Sequence, residues 1–176
     1  MRLGAGEGSA GFAARDGGAL LRSNLEAIGS RFPELAAILA ETPADELETE
    51  ATLSGEPTAR PAGGAWLHST RSPRDEAKRL AAACLSAGED CALLLGFGLG
   101  YQAEACLEAG ATMVIVVEAE PGMLKAALCA RELGVLLADE RLGFIVGGEP
   151  EAVIGALELS GARKAGILAL KGAERY

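Results

Sequence analysis

The sequence predicts an α/β fold: a Rossmann-like, mostly parallel sheet with helices on both faces, preceded by a helical segment and a small antiparallel β-hairpin region. Three observations predict it. The runs "CALLL" at 91–95 and "MVIVV" at 113–117 are continuously apolar, as strands covered on both faces are. From residue 72 onward, strand-like runs alternate with stretches of helical spacing. The first run breaks directly into "GFGLG", the kind of turn that joins a buried strand to the helix crossing over it.

Taken in order, residues 1–20 are rich in Gly and Ala without periodicity, and predict a flexible leader. In "SNLEAIGSRFPELAAILAE", Leu25, Ile28, Phe32, Leu35 and Leu39 fall at helical spacing. Ser23 or Asn24 is the expected N-cap, and Pro33 should split or kink the helix. Turn signals at Ser54-Gly55-Glu56-Pro57 and Gly63-Gly64 punctuate the next segment. They predict two or three short antiparallel strands, the last at 65–69. These pieces make up a region over 21–70, with the Rossmann-like domain over 71–176.

That domain opens on Ser72 as N-cap and Pro73 at the first helical position. Ala77, Leu80, Ala81, Cys84 and Leu85 give its first helix one apolar face, and Gly88 ends it. Strand 91–95, helix 101–109 and strand 113–118 then form one crossover. A helix opened by Pro121 runs toward Leu133, followed by strand 142–146, helix 149–159 and strand 165–170.

Composition narrows the function. The 176 residues include 49% hydrophobic but only 4% aromatic side chains, so the core must be built from aliphatic residues. A net charge of -9 argues against nucleic acid or an anionic membrane as partner. There is no signal-peptide pattern and no apolar run of membrane-spanning length. Cys84, Cys91, Cys106 and Cys129 form no C-x-x-C pair and read as free buried thiols, which with no signal-peptide pattern points to the cytoplasm. No metal site is expected.

The candidate site centres on the glycine loop. Gly96, Gly98 and Gly100 allow torsions and close approach that side chains forbid, and Tyr101 follows them into the helix. Helix N-terminal amides there are suited to an anion. Glu118, with Glu120 beside it, ends the next strand about 20 residues on, where an acid can accept from ribose hydroxyls. The alternative is that Glu118 pairs with a backbone amide and Glu120 caps a helix. Because Tyr101 stands where a dinucleotide motif needs glycine, the spacing is G-x-G-x-G, which resembles the S-adenosylmethionine loop of class I methyltransferases. Leu94 takes the place of that family's usual acid, and no methyltransferase catalytic motif follows. A nucleotide, a nucleotide-sugar, S-adenosylmethionine or nothing at all are the occupants to separate. A second candidate is a phosphate corner of His68, the single histidine, with Ser69 and Arg71. Against it stands a structural histidine whose ring satisfies a loop carbonyl. Trp66 reads as core or groove lining.

Six segments in order carry a more specific resemblance: "NLEAIGSRFPELAAIL", "SGEPTA", "WLHSTRSPRDEAKRLA", "LLLGFGLGYQAEACLEAG", "VIVVEAEPGMLKAAL" and "LADERLGFIVGG". From Asn24 to the C-terminus the chain resembles the amino-terminal Rossmann-like domain of the motility accessory factor family. Those bacterial proteins act in flagellin glycosylation with nucleotide-activated nonulosonic acids. The resemblance implies a glycosyltransferase parent, with flagellin and a downstream transferase domain as partners. It implies that the transferase's catalytic residues lie outside this chain, which is then inactive alone. Where that family commonly has Asp before the proline after "HS", this chain has Ser72. A scaffold or homo-oligomerisation domain with an empty loop is the remaining expectation.

Overall fold

The computed structural model describes residues 17–148 and 150–170. Helices α1 (Gly17–Gly29) and α2 (Pro33–Glu41) come first, then a hairpin of β1 (Leu47–Ala51) and β2 (Pro57–Pro61). The Rossmann-like part runs α3 (Pro73–Cys84), β3 (Cys91–Leu95), α4 (Tyr101–Glu108), β4 (Met113–Glu118), α5 (Pro121–Ala130), α6 (Gly134–Ala138), β5 (Leu142–Val146), α7 (Pro150–Ser160) and β6 (Ala165–Ala169). The four later strands are parallel, in the order β5-β4-β3-β6, and the hairpin is a separate antiparallel pair. The fold is α/β and Rossmann-like, as the sequence predicts.

Alternation along the strands decides what covers each face. Ala92, Leu94, Val114, Val116 and Leu168 point into a core shared with α1 to α6. Cys91, Leu93 and Ile115 point the other way, against Val153, Ala156 and Leu157 of α7. Full burial of each such Leu, Ile or Val is worth about 1.5–3 kcal/mol, which is why five-residue strands hold here. Ile28, Leu39 and Ala59 belong to the larger core, so the helical segment and hairpin are packed into it.

Several expectations need correction. Helix α1 already runs at Gly17 and buries Leu20, so 17–20 are helix; residues 1–16 of the expected leader lie outside the described residues. Asn24 is therefore mid-helix and no cap. Pro33 does split the helix, at the first position of α2. Residues 65–69 make no third strand: only Leu67 N–H reaches Ala59 O, at 2.8 Å. The helix expected from Pro121 to Leu133 stops at Ala130 and resumes as the short α6. Trp66 is half-buried on the hairpin beneath the Arg60 guanidinium, 4.6 Å from the ring centroid. All four thiols are free, but Cys84 and Cys129 are only partly buried. Among the described residues no helix is long and apolar enough to cross a membrane.

The start of β6 is held by one carboxylate. Asp90 Oδ1 accepts from Lys164 N–H at 3.0 Å and from Arg163 N–H at 3.1 Å. These bonds, Lys164 N–H first, hold its carboxyl below the usual aspartate range. A lowered folded-state value means stability that is present above the unfolded value and lost as pH falls through the folded one. Asp90→Asn should thus melt below wild type at neutral pH, and the gap should close on acidification below the ordinary aspartate range. A gap independent of pH in paired thermal melts would contradict this.

Candidate functional site

Strands β3 and β6 are neighbours: β3 leads through α4, on one face of the sheet, to β4, and β6 is reached through α7 on the other face. The carboxyl ends of such strands are where α/β folds open their ligand crevices. The glycine loop lies there. Gly96, Gly98 and Gly100 have φ of 92°, 55° and 82°, so all three occupy backbone territory that side chains disfavour. Leu170, just after β6, donates its N–H to Leu95 O at 2.9 Å and closes the loop's other side.

The loop's amides are engaged from within. Phe97 N–H donates to Glu118 Oε2 at 3.1 Å, and Glu120 N–H to Glu118 Oε1 at 3.3 Å. Leu99 N–H donates to His68 Nε2 at 2.9 Å. Gly96 N–H and Gly100 N–H bond Val117 O and Phe97 O. Glu118 is 3% exposed and His68 1%, so neither presents a free face to solvent. The carboxylate at the end of β4 has the position of a ribose acceptor but binds backbone amides, the second of the two roles weighed from sequence. Glu120 precedes α5 without any side-chain cap bond.

His68 packs directly on Gly98: a Cβ there would stand 2.6 Å from Nε2. Its ring meets Tyr101 edge-on, with centroids 5.0 Å apart. Because Nε2 accepts from Leu99, the neutral ring carries its proton on Nδ1, 3.3 Å from the Gln102 side-chain amide. Turning that amide over would give Nδ1–H an acceptor in Gln102 Oε1, a buried atom otherwise without a partner.

The structure thus divides the second candidate. His68 joins the glycine loop, whereas Ser69 and Arg71 stay at the corner before α3. There Ser69 Oγ accepts from Arg71 N–H at 3.2 Å and Ser72 N–H at 3.3 Å. Ser69 N–H in turn donates to Glu76 Oε2 at 2.7 Å. A carboxylate in that corner disfavours phosphate. Ser72 caps α3 as expected, accepting from Asp75 N–H at 3.3 Å.

Sequence reasoning missed the charged belt around Tyr101. The phenol donates to Pro57 O at 2.8 Å, tying α4 to the hairpin. Burial pushes its pKa up to about 12, with Arg131 opposing. The Arg131 guanidinium lies 4.0 Å from the ring centroid and donates to Leu99 O at 2.8 Å. Glu104 accepts from both Arg131 and Arg74, and Arg74 also pairs with Glu56. No motif spacing links residues 56, 74, 104 and 131, so no local signal could have grouped them. Beside the belt, a groove of about 590 Å³ runs between the hairpin and the end of α5.

Fold and loop together define a Rossmann-like domain whose glycine turn, at the carboxyl end of β3, is fastened by a histidine and a glutamate. No family model matches the chain, and no curated protein is significantly similar to it. Among solved structures it is similar to the MAf glycosyltransferase from Magnetospirillum magneticum AMB-1, with a TM-score of 0.59 at 18% sequence identity. The match covers 87% of this chain and 32% of that one. At that identity the likeness is one of fold, and this chain spans about a third of that protein's length.

Proposed function

We propose that this chain is the amino-terminal-type module of a motility-accessory-factor glycosyltransferase, and that its glycine loop is a structural joint. In this reading the parent acts in the cytoplasm, transferring a nucleotide-activated nonulosonic acid to flagellin Ser or Thr. Transfer chemistry resides in a separate domain, and this module contributes architecture and flagellin docking. The fold likeness to a MAf glycosyltransferase supports the placement. The observation that carries the structural role is the capture of the Leu99 and Phe97 amides by His68 and Glu118. A phosphate or ribose at the loop would have to displace a buried imidazole or a buried carboxylate.

Two measurements test the two halves. A thermal-shift panel with CMP, a CMP-linked sialic acid, S-adenosylmethionine, ATP, GDP and NAD should leave the melting temperature unchanged. A ligand at about 100 times its Kd would add roughly 2.7 kcal/mol, a shift of several degrees, and would overturn the structural role. A shift confined to S-adenosylmethionine would move the chain to the methyltransferase reading. Separately, the full reading frame should add sugar mass to flagellin when given a nucleotide-activated nonulosonic acid. Unmodified flagellin, with donor present and protein folded, would count against the transferase assignment.

A further inference from the structure

The hairpin stops at two strands, and its outer edge faces a groove. Two hydrogen bonds fix which backbone groups point where. Thr52 N–H donates to Glu56 O across the hairpin at 2.9 Å, whereas Leu67 N–H reaches Ala59 O at 2.8 Å from the far side of β2. Ala59 therefore turns its N–H and C=O away from β1, and its cross-strand partner Thr49 turns its own away from β2. Leu47 and Ala51 share that phase, opposite Pro61 and Pro57, where proline is tolerated because the ladder needs no N–H. Among the described residues β1 pairs with β2 alone. The N–H and C=O groups of Thr49 and Ala51, both exposed residues, thus form an open strand edge.

That edge borders the groove of about 590 Å³ beside the charged belt, with Thr49, Glu50 and Ala51 on one side and Leu20, Ala130 and Glu132 on the other. Arg74 and Arg131 reach it too, but Arg74 is committed to Glu56 and Glu104, and Arg131 to Glu104. Glu50 and Glu132 are exposed and make no ion pair among the described residues. The groove therefore carries uncompensated negative charge over a partly aliphatic lining. We propose that it docks a basic, extended peptide of a partner protein, added to β1 as a third strand. The peptide main chain exchanges N–H···O bonds with Thr49 and Ala51, and an edge of five residues accommodates a strand of about 17 Å. Side chains alternate along β1, with Leu47 packed against the core and Glu48 and Glu50 on the opposite face. The ligand alternates likewise, setting aliphatic side chains on the core-facing side and basic ones beside Glu50. Charged edges exclude indiscriminate pairing; here the exclusion falls on neutral and acidic strands and spares a basic one. The inference does not depend on the transferase reading.

The test is fluorescence anisotropy on the intact chain, with a labelled, end-blocked heptapeptide of alternating lysine and valine. It should bind saturably, one per chain, and more tightly at low salt. The same peptide N-methylated throughout keeps its charges but has no main-chain donors, and should bind at least about tenfold more weakly. A glutamate–valine counterpart should not bind. Thr49→Pro removes an edge donor but no ladder donor, so the hairpin should persist by circular dichroism while affinity falls about tenfold. Glu50→Gln combined with Glu132→Gln should cost about tenfold at low salt and less at high salt. Equal binding of the N-methylated peptide would reduce the effect to charge attraction and overturn the proposal. So would an affinity that both variants leave unchanged, or no binding at all. A dimer in sedimentation that Thr49→Pro dissociates would give the edge to a second copy, and would overturn it as well.

Discussion

Gly98→Val is expected to be the most damaging single change in the loop. Two independent costs add. The residue sits at φ 55°, which a β-branched side chain resists by roughly 1–2 kcal/mol. Its Cβ would also stand 2.6 Å from His68 Nε2, 2.8 Å from Cε1 and 3.0 Å from Leu170 Cδ2. Overpacking of that kind costs about 1–3 kcal/mol, so the total is about 3 kcal/mol and the melting temperature should fall by roughly 6–12 °C. The two costs can be separated. Combining Gly98→Ala with His68→Ala removes the clash but leaves the torsion, so the pair should destabilise by less than the sum of the singles, by about 1 kcal/mol or more. Strict additivity in urea melts would mean that His68 does not press on the loop. The same clash makes Gly98→Val unsuitable as a ligand-only control, since it dislodges the histidine before any ligand is present.

Asn24→Ala should cost nearly as much, at a place remote from the loop. Asn24 is fully buried in α1 and makes three bonds to one stretch of backbone. Its Nδ2 donates to Leu128 O and Arg131 O, both at 2.8 Å, and its Oδ1 accepts from Leu133 N–H at 2.9 Å. That stretch is where α5 ends and α6 begins, so the side chain replaces the helical bonds the break removes. Alanine would leave one amide and two carbonyls without this partner, at a cost of about 2–4 kcal/mol. Asn24→Asp keeps the acceptor but sets a carboxylate against two carbonyl oxygens. It should be no better than alanine at neutral pH and should recover as acid protonates it. A loss under about 1 kcal/mol for Asn24→Ala would mean water can satisfy the break.

The ordering of elements was legible because it rests on local rules. Strands 91–95 and 113–117 were readable as uninterrupted apolar runs, and Ser72-Pro73 as a helix start, since a cap and a fixed φ act within one turn. Asn24 misled for the same reason. Its type is a good cap, and only the packing of α5 and α6 against α1 shows that its amide serves residues over a hundred positions away.

What the sequence determined by itself, then, is the alternation of strands and helices and a glycine loop at the head of α4. Three glycines with positive φ were required there whatever the loop binds. What only the tertiary structure decided is which groups fill it. The hydrogen-bonding needs of a loop amide can be met by a ligand, by water or by any acceptor the fold brings near. Here His68 comes from 31 residues before Leu99, and Glu118 from 21 residues after Phe97. A side chain's chemistry is written in its own letter, but its partner is set by the path of the chain between them.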